Sequence, residues 1–143
     1  MFIGEYSHAI DEKGRLAIPT KFRVALKKGA VVTRGLDNCL FLYTKNEWDK
    51  LAKKLAELPI GKANTRAFAR LMLAGAMDVV LDKQGRISVP EYLRSYAQIG
   101  KKVVVTGLLS RLEIWDDAIW QTYKQGTEKS SSDIAEALGE LGV

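Results

Sequence analysis

The chain resembles itself, and this constrains its fold more than any other feature. At an offset of 71 residues, Asp11-Glu12-Lys13-Gly14-Arg15-Leu16-Ala17-Ile18-Pro19 aligns with Asp82-Lys83-Gln84-Gly85-Arg86-Ile87-Ser88-Val89-Pro90. Gly4 meets Gly75 and Arg23 meets Arg94 at the same offset. With one residue dropped the match continues. Gly35 meets Gly107, Leu40–Tyr43 meets Leu112–Trp115, and Trp48 meets Trp120. The period is too long for a solenoid, whose units run about 20–50 residues. It predicts a duplicated unit whose halves pair around a pseudo-twofold axis.

Each copy carries the same order of elements. Tyr6, His8 and Ile10 alternate along one face, as do Met77, Val79 and Leu81, and a period of two predicts a strand. Asp-x-x-Gly then predicts a tight turn. Asp suits the first position, where its side chain accepts from nearby backbone N–H groups, and Gly suits the fourth, which needs a left-handed backbone. Arg15–Ile18 and Arg86–Val89 return as strands, closed by Pro19 and Pro90. Short helices are predicted over Thr20–Leu26 and Glu91–Ala97, with Phe22, Leu26, Leu93 and Ala97 inward. Further strand pairs are predicted at Ala30–Thr33 with Cys39–Tyr43, and at Lys102–Thr106 with Leu112–Trp115. Helices follow near residues 47–57, 62–73 and 116–125, the first ended by Leu58-Pro59-Ile60-Gly61. Gly126–Ser132 is polar and reads as a flexible stretch, and Asp133–Leu141 as a short helix. The predicted fold is α+β, mainly β: a small barrel of two internal repeats with appended helices. Residues 1–61 read as the first repeat with its following helix. Residues 62–143 read as a connecting helix, the second repeat, a C-terminal helix and a tail, with both halves forming one folded unit.

Composition narrows the function. Cys39 and His8 are the only residues of their types, which argues against a zinc site of Cys/His ligands and against an internal disulfide. No apolar run approaches the length of a membrane span, and Met1–Glu5 has no basic, apolar leader, so a cytoplasmic protein is predicted. The net charge is +5 and unevenly placed. Residues 1–71 hold 14 Lys/Arg against 7 Asp/Glu, and residues 72–143 hold 8 against 10. A polyanionic partner would therefore face the first half.

These residues resemble the MraZ family, bacterial transcription regulators of the AbrB/SpoVT-type swapped-hairpin β-barrel class. The resemblance covers the whole chain, from the opening Met1-Phe2-Ile3-Gly4-Glu5-Tyr6 through both Asp-x-x-x-Arg motifs, Asp11/Arg15 and Asp82/Arg86, and Thr33-Arg34-Gly35-Leu36. One such motif is weak, but two at equal distance before proline, inside a whole-chain repeat, are specific. The resemblance implies binding to double-stranded DNA at short G-rich direct repeats. Those repeats lie upstream of the operon for cell division and cell-wall synthesis, which holds the regulator's own gene. It also implies a ring-shaped homo-oligomer, association with the nucleoid, and no cofactor, membrane partner or small-molecule substrate.

Arg15 follows a protruding turn, and its planar fork matches guanine O6 and N7. It is the expected reader of sequence. Arg86 is the second candidate, in the more acidic half, where a subunit contact or the pairing of the two halves competes with DNA contact. Lys13, Lys21 and Arg23 are candidates for phosphate contact; Lys27 and Lys28 read equally well as a helix end stopped by Gly29. Asp11, Gly14, Asp82 and Gly85 are expected to position the motif, with each Asp bracing its Arg. His8 reads as a core or rim residue, Cys39 as a buried small hydrophobe, and Trp48 and Trp120 as packing anchors. An enzyme is disfavoured, since catalysis needs a nucleophile with a base, paired carboxylates or a metal cluster. The alternative is an antitoxin-like protein-interaction module. Such modules carry one hairpin half and a disordered tail, whereas this chain carries both halves and a short tail.

Overall fold

The computed structural model describes residues 1–142. The first repeat contributes β1 (Phe2–Ala9), β2 (Arg15–Ala17), a 3-10 turn at Thr20–Phe22 leading into α1 (Arg23–Leu26), β3 (Ala30–Arg34), β4 (Leu40–Thr44) and α2 (Lys45–Ala56). Helix α3 (Ala63–Ala69) widens into a π-turn at Arg70–Ala74 and leads to the second repeat. That repeat contains β5 (Met77–Val79), β6 (Arg86–Ser88), α4 (Glu91–Tyr96), β7 (Lys102–Leu109), β8 (Leu112–Asp116) and α5 (Asp117–Lys129). Helix α6 (Ser131–Ala137) and a 3-10 turn at Gly139–Leu141 follow.

The hairpins are exchanged between the repeats. Six antiparallel strands run in the order β1-β7-β8-β4-β3-β5, so the lead strand of each repeat pairs with the other repeat. Strand β1 lies against β7 from Phe2 opposite Leu109 to Ala9 opposite Lys102, and β5 lies against β3. Strands β2 and β6 form a separate ribbon with Leu16 opposite Ile87 at its centre. Two cross-bonds extend it symmetrically: Ile18 N–H donates to the Gly85 carbonyl at 3.0 Å, and Val89 N–H to the Gly14 carbonyl at 2.8 Å. The predicted barrel therefore takes the form of an open sheet closed by a ribbon, without one continuous ring of hydrogen bonds.

Alternation along the strands sorts the apolar residues into two layers. One lies between the sheet and the ribbon with its short helices, and includes Leu16, Ile18, Phe22, Leu26, Leu42, Ile87, Val89, Leu93 and Ile114. The other lies on the opposite face, where Cys39, Phe41, Tyr43 and Trp115 meet Trp48 and Leu55 of α2, Phe68 and Met72 of α3 and its π-turn, and Trp120 of α5. Because β3 and β4 are covered on both faces, they read as apolar runs, Ala30–Val32 and Leu40–Tyr43, whereas β8 carries the buried Glu113 between Leu112 and Ile114. Two of the helices on the outer layer, α2 and α5, start at side-chain caps. Thr44 accepts from Glu47 N–H at 3.2 Å, and Asp116 from Ile119 N–H at 3.4 Å.

The stretch predicted to be flexible, Gly126–Ser132, is helical through Lys129 and again from Ser131. A single Gly inside a helix costs only about 1 kcal/mol. Gly126 is followed by Thr127, whose hydroxyl bonds back to the Tyr123 carbonyl at 3.1 Å. Polarity there marks solvent exposure and does not mark a break.

Candidate nucleic-acid interface

The two Asp-x-x-Gly turns are built alike. In the first, the Gly14 N–H donates to the Asp11 carbonyl at 3.0 Å and Gly14 has φ +81°. In the second, Gly85 donates to Asp82 at 3.0 Å with φ +74°. Each Asp side chain then organises its loop. Asp11 Oδ1 accepts from the N–H groups of Lys13 at 3.0 Å and Arg15 at 2.8 Å, while Oδ2 accepts from Arg15 Nε at 2.6 Å. Asp82 does the same with Gln84 N–H at 2.9 Å, Arg86 N–H at 2.9 Å and Arg86 Nε at 2.8 Å. The backbone N–H of the Arg, and then its guanidinium, hold both carboxyls below the usual carboxylate range.

The ribbon decides where the arginines point. Leu16 and Ile87 face the core, so the alternate residues Arg15, Ala17, Arg86 and Ser88 face out. Arg15 stands opposite Ser88, and Arg86 stands opposite Ala17. Two guanidiniums from distant parts of the sequence thus share one outer face, related by the pseudo-twofold through Leu16 and Ile87. Each is held at Nε by its Asp, and its terminal nitrogens make no hydrogen bond among the described residues. Both side chains remain about one-third exposed, at 36% for Arg15 and 28% for Arg86.

The other candidates are not gathered at this face to the same degree. Lys13 is exposed at the first turn tip. Lys21 is tied to β1, donating to the Tyr6 hydroxyl at 2.7 Å and lying 5.3 Å from the Tyr6 ring centre. Arg23 braces the ribbon from below. Its Nε donates to the Ile18 carbonyl at 2.8 Å, and its guanidinium lies against Gly85. Arg94 mirrors it, donating to the Val89 carbonyl at 3.0 Å and lying against Gly14. The repeat had aligned Arg23 with Arg94, but no sequence signal identifies the glycine each one covers. Lys27 and Lys28 sit past α1, where Gly29 N–H closes the helix on the Leu26 carbonyl at 2.9 Å.

Beside Arg15, an open cleft of about 610 Å³ is lined by Lys13, Arg94 and Lys101, with Asp11 and Glu12. Lys101 and Arg94 come from the second repeat and were not among the sequence candidates for contact. Only the exchange of hairpins brings them beside the first turn. His8 is half-buried on β1; burial, and then the positive charge of Arg23, lower its pKa. Among the described residues no cluster of His, Cys, Asp and Glu is arranged to hold a metal ion, and no helix is long and apolar enough to cross a membrane.

Known proteins match this architecture over its full length. The family model described as "MraZ protein, putative antitoxin-like" matches twice, over residues 1–71 and 72–140. A protein of Halothermothrix orenii called transcriptional regulator MraZ is 50% identical over 143 residues, covering 100% of both chains. Proteins of the same name from Natranaerobius thermophilus and Caldanaerobacter subterraneus subsp. tengcongensis are 48% and 46% identical, again over 100% of both chains. With two family matches spanning nearly all of its residues, and relatives of this similarity, the chain belongs to the MraZ family.

Proposed function

We propose that this chain is a sequence-specific DNA-binding transcription regulator that reads promoter DNA with the outer face of the β2–β6 ribbon. One observation carries this reading: two Asp-clamped arginines stand on a single outward face of a two-stranded ribbon. A ribbon of that width enters a major groove, and a held guanidinium matches the paired acceptors of guanine. The name of the relatives, transcriptional regulator, supports the same reading.

On this reading Arg15 and Arg86 face base edges, with Arg15 the principal reader because Lys13, Arg94 and Lys101 surround it. Those three cations contact phosphate, which sets affinity and register without choosing sequence. Lys21 and Arg23 act first as braces and only secondarily on phosphate. Asp11, Asp82, Gly14 and Gly85 position the readers. The targets are G-rich direct repeats upstream of the cell-division and cell-wall operon, including the protein's own gene. The chain works by binding, with no catalytic step, in the cytoplasm at the nucleoid and as a ring-shaped assembly of copies. Residues 1–61 and 62–143 form its two interlocked halves.

The family's antitoxin-like description keeps a protein-interaction role as the second reading. A footprint on the protein's own upstream region separates the two. Protection of a short series of G-rich repeats is expected. Absence of any protected site at low salt would leave the interaction module as the better account.

A further inference from the structure

The pseudo-twofold relation fails at one place on the helical face of the sheet. Thr33 stands opposite Phe41, and Thr106 stands opposite Glu113, the repeat partner of Phe41. The two threonines are therefore structural equivalents. Thr33 is fully buried, and its hydroxyl donates to the Met72 carbonyl at 2.6 Å. That carbonyl belongs to the π-turn after α3, which lays Met72 and Leu73 over the sheet. Arg34 adds a bond to the Leu71 carbonyl of the same turn at 3.3 Å.

In the second repeat this place is open. Thr106 is only 4% exposed, yet its hydroxyl has no partner among the described residues, and neither has the buried indole nitrogen of Trp120. Both residues line a cavity of about 550 Å³ together with Phe41, Leu108, Trp115 and Tyr123. Phe41, Trp115 and Trp120 also belong to the apolar layer beneath α3, so the cavity continues that internal helix–sheet interface. A buried donor without an acceptor is unfavourable, and two beside the aromatic residues of one hollow, which Asp37 and the ion-paired Glu5, Arg111 and Glu113 also line, point to an occupant that presents carbonyl oxygens.

The order of elements identifies that occupant. Helix α3 follows α2, and α6 follows α5. Helix α6 and the turn after it are exposed throughout, with Ile134, Leu138 and Leu141 uncovered at 43%, 38% and 73%. Their spacing places them on one stripe of a helix, while Asp133, Glu136 and Glu140 fall on the other side. Helix α6 cannot lie over its own sheet as α3 does. Residues Glu57–Lys62 allow the chain to reverse between α2 and α3, but Ser130 alone separates α5 from α6. We infer that the cavity beside Thr106 receives the C-terminal segment, residues 131–141, of a second copy of this chain. The apolar stripe packs on Leu108, Trp115 and Tyr123, and the carbonyls at the helix end accept from Thr106 and Trp120. The contact is head-to-tail, the kind that closes into a ring when the rotation permits. The inference rests on the reading of the chain as a self-assembling regulator.

Light scattering on the full-length protein tests it. The wild type is expected to assemble, and L138D/L141D to dissociate at least tenfold more readily while keeping the wild-type circular dichroism, since both side chains are exposed within one copy. Assembly of this variant equal to wild type overturns the contact and leaves the self-assembly reading standing. A wild type that is monomeric at every concentration overturns both. Disulfide trapping identifies the donor copy. Mixing L108C chains with L138C chains of different length should give a mixed disulfide, with the native Cys39 buried and silent. An internal disulfide in dilute L108C/L138C protein would instead mean that the helix folds back on its own sheet, against this inference. T106V should weaken association about fivefold, one hydrogen bond's worth, without lowering the melting temperature of the single copy. Unchanged association in T106V counts against the hydroxyl as a donor to the partner.

Discussion

Arg15 and Asp11 act as one unit. A free arginine on a surface strand samples many rotamers and loses that freedom on binding. Here Asp11 fixes Nε and leaves the terminal nitrogens without a hydrogen bond among the described residues. R15A should therefore lower affinity for the cognate promoter by about five- to 150-fold, as expected for one guanine contact, while the fold survives. Titration by fluorescence anisotropy measures this, and unchanged affinity would place sequence reading elsewhere. R86A should cost less, because its turn carries Gln84 where the first turn carries Lys13; equal losses would mean that the two forks read equivalent bases. His8 makes a prediction in pH. Its folded pKa lies below the ordinary 6.5, so the unfolded chain takes up the proton first. Its contribution is complete above 6.5 and fades as pH falls toward the folded value. Urea unfolding of H8N should lose less stability than wild type between pH 7 and 5, and parallel curves would remove His8 as the cause. At this scale the motif was legible because two copies fixed which positions matter. The brace made by Arg23 was not, since it depends on Gly85 lying across the pseudo-twofold.

The ribbon is the element on which the interface depends, and its two turn glycines are its tightest points. A Cβ on Gly14 would stand 2.6 Å from the Val89 carbonyl oxygen. That carbonyl cannot retreat easily, because the neighbouring Val89 N–H is bonded to the Gly14 carbonyl. The left-handed backbone adds its own penalty of about 1–2 kcal/mol for any side chain. G14A should lower stability by about 2 kcal/mol or more and reduce DNA binding with it, read by thermal melting and titration on one sample. A melting temperature within a degree of wild type would mean that the turn relaxes freely. Thr33 gives a second test at this scale. T33V strands the Met72 carbonyl and should cost about 1 kcal/mol. The strands, the turn chemistry and the short helices were legible because period-two alternation, Asp-x-x-Gly and Pro act locally. The exchange of hairpins was not derivable from periodicity, because β1 pairs as well in pattern with a strand of its own repeat as with β7. It was available only through the family resemblance.

At the scale of the whole molecule, that exchange changes where positive charge gathers. The first repeat carries the cationic excess, yet the cleft beside Arg15 takes Arg94 and Lys101 from the net-acidic second repeat. A count of charge by halves therefore understates the second repeat's share of the positive charge beside Arg15. Each neutralised phosphate releases counterions, so the logarithm of affinity falls with the logarithm of salt, by about 0.9 per contact. The proposed ring of copies would multiply these contacts on DNA with several repeats in phase, and one repeat alone should bind far more weakly. Lys101 separates charge from sequence reading within this scheme. K101A should flatten the salt slope by about 1 for each protomer engaged and weaken cognate and scrambled DNA alike. R15A should instead narrow the gap between cognate and scrambled DNA. Salt titrations of both variants on a single-repeat duplex measure the two effects apart. If K101A altered discrimination and left the slope unchanged, Lys101 would be reading bases, and the division of labour between the two repeats would have to be redrawn.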